Sequence, residues 1–574
     1  MMDTQRLILL AIFSFSLIML WEAWNRENRP PAPPPSRTAG TPAVPADVPA
    51  MPTAPGAQAV PGAQSVPGAA PGPAALPGAP AAATAQWVAI TTDLFTAKID
   101  PVGGVIAEVA LTRHRDAFDK SKPYLALQRN AERTFVAQAG LLGEGMPNHR
   151  TQWTPQPGPR ELAAGADRVE LRLTATAANG DPVVKVLTFH RGSYLIDVAF
   201  DVTNKGAAPV APYAYFQLTR DAKSAVVQSS MAPASYVGPV VYNDKDNFKK
   251  VEFGEIDKLA ADASRKSPFQ KSADNGWVAM IEHYFVAAWL PSDEKRTPRE
   301  FFVRRLDGGL YAAGVIVPVG TIAPGATGEV RVPLYVGPQD QDVLAQTAKG
   351  LDLVVDYGIF TVLAAPLFWL LKWLHGLIGN WGWAIVVMTI MIKAVFYPLN
   401  AAAARSMGKM KIIAPKMKAL QEQYANDKQQ LQIKMMEMYK TEKINPLGGC
   451  LPILVQIPVF IALYWVLLSA VELRQAPWIL WIHDLSAPDP YFVLPVIYAI
   501  TAYLQVKLSP TPISDPVQAK VMQIMPIAFS VLFVFFPAGL VLYWLVNNIL
   551  QIGQQWQVNK MLEKEAAAKA ATRR

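Results

Sequence analysis

The sequence is poor in cysteine and in charge. Cys450 is the one cysteine among 574 residues, which excludes an intrachain disulfide and a metal site built from several cysteines. Charged residues make up 17% of the chain and hydrophobic residues 51%, a balance that indicates membrane segments rather than an ordinary soluble enzyme. The net charge of +8 is spread unevenly and forms no basic stripe, so we expect no DNA partner.

Motifs for catalysis and cofactor binding are also missing. The sequence has no glycine-rich phosphate-binding motif, so nothing predicts that this chain uses ATP. The histidines between residues 86 and 350 are scattered without the spacing of metal ligands. We therefore expect no cofactor, no metal and no catalytic residue. These histidines are His114, His149, His190 and His283.

The N-terminus predicts an uncleaved transmembrane anchor over residues 1–28. Its apolar run, Leu7 to Trp21, follows Arg6. A cleaved signal peptide is the alternative, but it would need small residues around a cleavage site. The run ends instead in LWEAW, and the two tryptophans suit a membrane interface.

Residues 29–85 hold 16 prolines, and this Pro/Ala/Gly-rich composition predicts an extended, semi-rigid linker with no binding role.

Residues 86–350 predict a large, soluble all-β domain. In YLIDVAFDVTN, Ile196, Val198 and Phe200 alternate with more polar residues, the period of a strand with one buried face. Asn179-Gly180 separates two strand-like runs and predicts a hairpin. Many short strands with turn residues between them indicate an antiparallel sandwich.

Apolar runs of membrane character begin after Gly350. We predict span 2 at 381–400 and spans 3–6 within 451–557, so the anchor makes six spans in all, although some runs are short for a hydrocarbon core of about 30 Å. The last two runs are separated by Pro537-Ala538-Gly539, which predicts a tight helical hairpin. The runs are Trp383–Leu399, Leu451–Leu473, Tyr491–Leu508, Val521–Phe536 and Leu540–Ile552.

Charge orients these spans. The predicted cytoplasmic helical hairpin, 401–450, holds nine Lys or Arg against four acids, and the predicted basic tail, 558–574, holds five against two. The loop 472–490 holds one Arg and three acids. Because basic loops face the cytoplasm, both termini are expected inside and the β domain outside.

In the predicted hairpin, Asp427 is placed to cap the second helix. The methionines of the hairpin suit either packing between its helices or binding of varied apolar partners.

Residues 351–380 predict an amphipathic helix at the outer interface. Lys372, His375, Gly376 and Gly379 fall on one helix face, as in a helix lying on a membrane. A seventh span is the alternative. It would touch the next span with almost no loop, and it would place the basic segment outside.

Lys393 lies inside the apolar run VVMTIMIKAVFYPL. Thr389, Lys393, Tyr397 and Asn400 share one helix face. A charge at mid-bilayer costs at least about 2.5–3.5 kcal/mol, and no Asp or Glu lies inside any other run except Glu472 at one outer end. Snorkelling to the surface is one alternative.

A hydrated groove, open inward and closed outward, is the interpretation that we favour. Polar residues on the other spans suit it together, although each alone is typical of an interhelical hydrogen bond. They are Gln456, Thr501, Gln505, Gln523, Ser530, Tyr543, Asn547 and Gln551.

Three segments resemble the Gram-negative YidC family of membrane protein insertases. They are KTEKINPLGGCLPILVQIP at 440–458, VELRQAPWILWIHDLSAPDP at 471–490 and FPAGLVLY at 536–543. The resemblance extends over roughly Leu351 to Leu562 and, more loosely, over FTAKIDPVGGVI and NGWVAMIEHYFVAAWLP in the β domain.

The resemblance implies an α-helical polytopic inner-membrane protein with a five-helix insertase core and a periplasmic β-super-sandwich. It implies an insertase and chaperone, not an enzyme, which inserts newly made membrane proteins alone or with the Sec translocon. Implied partners are nascent membrane proteins, the ribosome, SecYEG, SecDF and membrane lipids.

The resemblance also assigns positions. The family's groove arginine matches Lys393, which keeps the charge but loses the bidentate fork. The family's groove threonine matches Thr389, and its aromatic residue on the sixth span matches Trp544, next to Tyr543. Substrate spans are expected to pass the third and fifth membrane spans, at Pro458, Phe460, Ile461 and Ile527.

Two other functions compete with insertion. A solute transporter would also carry an intramembrane charge, but transporters typically show repeated halves, which this sequence does not. An external enzyme acting on sugars would suit a large β-sandwich, but the scattered histidines give it no site.

Overall fold

The computed structural model describes residues 48–49, 87–117, 119–223, 236–262, 264–294, 296–424, 427–441, 451–508, 524, 528 and 530–572. The predicted anchor, almost all of the predicted linker, and Gln523 and Ile527 lie outside these residues. The described residues all belong to one compact unit, Asp47–Arg574.

Two nine-stranded antiparallel sheets form the domain predicted as a sandwich, and they confirm it. The first sheet has the order β1-β2-β3-β4-β5-β10-β17-β16-β13 and the second β12-β11-β14-β15-β18-β9-β8-β7-β6. The strands are β1 Val88–Thr91, β2 Phe95–Asp100, β3 Val105–Arg115, β4 Pro123–Arg129, β5 Thr134–Leu142, β6 Thr154–Pro155, β7 Arg168–Thr176, β8 Pro182–His190, β9 Leu195–Thr203, β10 Tyr213–Asp221, β11 Gly238–Asn243, β12 Asn247–Lys250, β13 Ser272–Ala273, β14 Trp277–Glu282, β15 Phe285–Trp289, β16 Arg299–Arg305, β17 Leu310–Pro318 and β18 Thr327–Pro338.

Residue alternation explains the sandwich. On β9, Ile196, Val198 and Phe200 point into the core between the sheets, because successive strand residues face opposite sides. Asn179-Gly180 forms the turn between β7 and β8, whose register pairs Thr176 with Pro182. Gly180 has φ +86°, a conformation that glycine adopts without steric cost.

Nine helices are described. They are α1 Phe253–Ala261, α2 Gln341–Thr347, α3 Thr361–Ile378, α4 Trp381–Val395, α5 Tyr397–Gln423, α6 Lys428–Thr441, α7 Leu451–Ser469, α8 Val493–Leu508 and α9 Ala538–Thr572. Within the described residues, α3 is long and apolar enough to cross a bilayer, and α4 with the start of α5 makes a second candidate if that bent pair is one span. The count of six spans stays a prediction.

The helix that carries Lys393 ends earlier than the predicted span 381–400. α4 ends at Val395, and α5 begins at Tyr397 with a bend of 61° between them. Pro398 occupies the first turn of α5, where its missing N–H has no partner to lose. The same proline inside a continuous helix would remove one backbone hydrogen bond, so the chain restarts its helix here.

Helix α3, the predicted interfacial helix, has two apolar faces. Its buried face packs beneath the sandwich through Phe368, Leu371 and Leu374, whereas Trp369 and Trp373 are exposed. Of its polar residues, Lys372 forms an ion pair with Asp342 of α2, and His375 stacks on Trp381 with ring centroids 3.9 Å apart. An exposed pair of tryptophans suits the interface of a bilayer, and the interfacial position stays a prediction.

Candidate functional site

Lys393 lies in the last turn of α4 and is 8% exposed. Its Nζ donates a hydrogen bond to Oε1 of Gln551 on α9 at 2.8 Å. None of the ion pairs found among the described residues includes Lys393. Lys393, for which the sequence showed no acidic partner, is thus hydrogen-bonded to a neutral amide. This bond does not neutralise the positive charge of the lysine.

A polar stripe extends from Lys393 toward the end of α4 and into α5. The Tyr397 hydroxyl donates to Oε1 of Gln557 at 3.3 Å, and Nε2 of Gln554 donates to the Tyr397 carbonyl at 3.2 Å. Asn400 is buried, and its Nδ2 has no hydrogen-bond partner among the described residues. The predicted face therefore meets the polar end of α9 at Lys393 and Tyr397, although the bend of 61° places these two residues on separate helices.

Thr389 lies one turn before Lys393 and is buried. Its hydroxyl donates to the carbonyl of Ile385 in the same helix at 2.7 Å. Such a bond satisfies the hydroxyl without help from another helix. Thr389 thus adds polarity beside the lysine but no described contact to α9.

A second polar pair joins α7 to α9. Nε2 of Gln456 donates to Oδ1 of Asn547 at 3.2 Å. Tyr543, Asn547 and Gln551 step by four residues and share one face of α9. The structure thus brings Gln456 and Asn547 together, one turn from the partner of Lys393.

Aromatic residues form the apolar wall next to this pair. Phe460 of α7 lies 4.2 Å from Trp544 and 6.2 Å from Tyr543, measured between ring centroids. Trp544 also contacts Tyr498 of α8 at 6.3 Å and Phe533 at 5.7 Å. Trp544 therefore belongs to an aromatic cluster, whereas Tyr543 lies on the amide face of α9.

Pro458 and Ile461, the other predicted substrate contacts on α7, are half-buried. Val455 and Ile457 of the same helix are 40% and 43% exposed. α7, the helix that carries Phe460, thus exposes apolar side chains on more than one side. Ile527 lies outside the described residues.

Asn548 lies beside the candidate site and was not predicted from the sequence. It is buried, and its Nδ2 donates to Oγ1 of Thr501 on α8 at 3.0 Å. The adjacent pair Asn547-Asn548 was the available signal, because neighbouring helix residues point in different directions. One asparagine faces α7 and the other α8.

The opposite end of the helices is tied to the loop 474–490. The backbone N–H groups of Ala538 and Gly539 donate to the carbonyls of Ala487 and Leu485 at 2.8 and 2.9 Å. A Cβ on Gly382 would lie 2.2 Å from Cδ1 of Trp478. The starts of α4 and α9 are therefore packed tightly against this loop, far from the polar end.

The same loop contacts the sandwich. The Arg474 guanidinium lies over the rings of Tyr124 and Phe285, 5.3 and 5.4 Å from their centroids, and donates to the carbonyl of Arg115. The Gln475 amide also donates to that carbonyl, at 3.0 Å. Helical and β domains are thus joined by polar and cation–π contacts.

The sandwich presents no cluster of metal ligands within the described residues. Burial, together with nearby arginines, lowers the pKa of His114 to about 4. Burial likewise lowers the pKa of His283 to about 4. Both imidazoles are therefore neutral near pH 7, and His114 packs edge-on against Phe285 at 5.3 Å.

These features define a two-part protein, in which a buried cation and amides line one end of a helical domain beside a β-sandwich. The model of the YidC periplasmic domain matches residues 87–370, and the model of the 60Kd inner membrane protein family matches residues 373–565. The chain belongs to the YidC family of membrane protein insertases, as the resemblance predicted. It is an inner-membrane insertase with a periplasmic β-sandwich, and the family is not one of enzymes.

Full-length relatives support this assignment. The Membrane protein insertase YidC of Aromatoleum aromaticum is 50% identical over 98% of this chain and 99% of that protein. That of Nitrosospira multiformis is 51% identical over 99% and 98%. A crystal structure of an active YidC insertase covers 82% of this chain and 92% of that chain with 18% identity and a TM-score of 0.37, a likeness too weak to add to the assignment.

Proposed function

We propose that the chain inserts newly made inner-membrane proteins by hosting a polar substrate segment in a hydrated groove beside Lys393. The observation that carries this proposal is the Lys393–Gln551 hydrogen bond, in which a buried ammonium meets a neutral amide. An ammonium has three donors, and the amide oxygen satisfies one of them. Water or a substrate carboxylate would satisfy the others.

Charge makes this groove selective. A buried charge without a counter-ion is costly, and an opposite charge or solvation offsets that cost. An acidic residue of an incoming segment therefore gains more from the groove than an apolar one does. The amides of Gln456 and Asn547 add neutral hydrogen-bonding groups for the rest of such a segment.

The apolar part of the substrate would leave by another side. Val455 and Ile457 are exposed on α7, next to Pro458 and Phe460. Transfer of an apolar span from the groove into lipid is favourable because it removes apolar surface from water. This step needs no nucleotide.

The groove opens toward the cytoplasm in this proposal, with both termini on that side. The basic hairpin, α5 and α6, follows directly on the polar end of α4, which supports the orientation by the charge rule. The tight packing of Gly382 against Trp478 supports closure at the periplasmic end.

The cytoplasmic hairpin would receive substrates. Ile413 and Met417 of α5 are buried against Met435 and Met438 of α6, so these methionines serve helix packing. Met436 remains 60% exposed, which leaves apolar surface for a partner. We propose ribosomes, SecYEG, SecDF and anionic lipids as partners at the membrane.

Charge reversal at the groove tests the proposal. In cells depleted of the wild-type protein, Lys393→Glu should block periplasmic exposure of a small single- or double-span substrate, and Lys393→Arg should keep it. Lys507→Glu, at the end of α8, is the control for an added acid elsewhere. Normal insertion by Lys393→Glu would remove the charge from the mechanism. Solute uptake by purified vesicles would favour the transporter instead.

A further inference from the structure

The proline-rich segment contacts the sandwich at Val48, where the sequence predicted a linker with no binding role. Val48 is 9% exposed and packs with Leu142, Tyr215 and Ile316, and Pro49 is buried as well. The carbonyl of Val48 accepts a hydrogen bond from Nη1 of Arg304 at 3.0 Å. A short stretch of this segment is therefore seated on the domain.

The seat lies on the outer face of the first sheet. Tyr215 and Ile316 are direct cross-strand partners on β10 and β17. Their neighbours Phe216 and Val315 point into the core between the sheets, so Tyr215 and Ile316 face away from it. An outer face of an antiparallel sheet is normally open to water, yet both side chains are buried, in the cluster that includes Val48.

Arg304, the hydrogen-bond donor at this site, also has partners on the sheet itself. Nη2 of Arg304 donates to Oε1 of Gln217 at 3.1 Å, and Nε2 of Gln217 donates to Oε1 of Gln138 at 2.8 Å. The guanidinium also lies over the ring of Phe302, 5.0 Å from its centroid. A Cβ on Gly314 would lie 2.5 Å from Cζ of that ring, so glycine is what lets Phe302 lie across the sheet.

A Val-Pro dipeptide fits this chemistry. The β-branched side chain fills the apolar depression, and its carbonyl meets the fixed arginine. The following proline has no N–H that would need a partner on the sheet, and it holds the preceding residue in an extended conformation.

We propose that the outer face of the first sheet is a docking site for extended Val-Pro segments. We further propose that two later Val-Pro pairs of residues 29–85, Val60-Pro61 and Val66-Pro67, are alternative occupants to Val48-Pro49, which is bound here.

Tethering makes such a small site useful. A dipeptide contact is weak alone, but a linked segment reaches an effective concentration in the millimolar range. Exchange of Val48-Pro49 for Val66-Pro67 moves 18 residues, by the sequence numbers, from one side of the docking site to the other. That stretch spans about 55 Å when extended, so the occupant would set the length of chain between residue 28 and the sandwich.

Spin labelling of the full-length protein tests the site. In a Cys450→Ser background, single nitroxides are placed after three pairs, through Ala50→Cys, Gly62→Cys and Gly68→Cys. The fraction of immobilised label is read from the line shape. We expect it to be largest at position 50, to fall at least fivefold with Arg304→Ala, and to stay unchanged with Arg331→Ala, an exposed arginine of the second sheet.

The alternative occupants are tested by emptying the seat. The double variant Val48→Ser, Pro49→Ser should release the label at position 50 and raise the immobilised fraction at 62 or 68. The matched double variant Met51→Ser, Pro52→Ser should do neither. A label at 50 as mobile as those at 62 and 68 in the unaltered linker, or one insensitive to Arg304→Ala, would overturn the docking site. No rise at 62 or 68 after the seat is emptied would overturn the exchange.

Discussion

Nζ of Lys393 lies 2.8 Å from Oε1 of Gln551, and this bond joins helices 158 residues apart in sequence. A carboxylate in place of the amide would cancel the charge that we propose the groove offers to a substrate. The neutral partner orients the ammonium and leaves its charge available.

Gln551→Glu should therefore impair insertion although it preserves shape. The new carboxylate would pair with Lys393 and compete with acidic substrate segments. We expect the pairing with Lys393 to weaken binding of an acidic substrate segment by about 1.4 kcal/mol or more. That free energy corresponds to a fall in insertion of about tenfold or more. The measurement is protease protection of that substrate in vesicles. Gln432→Glu, at an exposed position of α6, is the control, and equal effects of both would argue against the pairing.

The two adjacent asparagines of α9 should separate function from stability. Asn547→Leu removes the partner of Gln456 and should lower insertion with little change in thermal stability, because water in the proposed groove would replace the lost bond. Asn548→Leu removes the bond to Thr501 and should lower stability, since interhelical bonds in membranes contribute about 0.6–1.7 kcal/mol, while insertion continues. Insertion assays and thermal unfolding in detergent measure the two effects. The reverse pattern would show that the groove faces α8.

Gly382→Ala should loosen the closed end of the groove. Its new methyl group would overlap Trp478, and overpacking of this kind costs about 1–3 kcal/mol. Gly376→Ala in α3 is the matched control, because a Cβ there would meet nothing within 4 Å and alanine favours helix. Thermal unfolding should show a lower midpoint for Gly382→Ala alone. Equal midpoints for both variants would contradict the close packing.

The sandwich should gain stability as pH rises because of Lys185. Nζ of Lys185 donates to the carbonyls of Gly103, Gly104 and Ala139 at 3.3, 2.7 and 3.2 Å, and no carboxylate bonds to it within the described part of the chain. Burial lowers the pKa of this ammonium from 10.5 to about 7. Between these values the unfolded chain keeps the proton that the folded chain has lost, so unfolding becomes harder with rising pH.

Comparison with Lys185→Met isolates that effect. Below about pH 7 both states of the wild type hold the proton and the cost of the buried charge is complete. From pH 7 to 9 the wild type should gain up to about 1.4 kcal/mol per pH unit relative to the variant. Unfolding midpoints at several pH values measure it, with Lys120→Met as an exposed control. Parallel pH profiles for wild type and Lys185→Met would contradict a buried neutral amine.

Periodicity predicted the parts of the fold that depend on local pattern. The alternation in β9 and the Asn179-Gly180 turn gave the sandwich, since each needs only neighbouring residues. The step of four through Tyr543, Asn547 and Gln551 likewise placed three polar groups on one face. The break at Phe396 was missed although Pro398 marked it, because a proline near a cytoplasmic end is also tolerated in a longer helix.

Contacts between helices could not be predicted in this way. Periodicity says which residues share a face but not which helix that face meets. The pairing of Lys393 with Gln551 and the turn of Trp544 into the cluster with Phe533 both depend on rotation of α9 against its neighbours. The contact between Val48 and the sheet could not be predicted from composition. Composition describes the average character of residues 29–85, whereas this contact depends on two residues, Val48 and Pro49.

Solvent access at position 393 tests the central claim most directly. Lys393→Cys in a Cys450→Ser background is exposed to a charged, membrane-impermeant thiol reagent added from either side of oriented vesicles. A water-filled groove open to the cytoplasm predicts rapid labelling from the cytoplasmic side and little from the periplasmic side. An unreactive thiol, or one that reacts from the periplasm, would contradict the account.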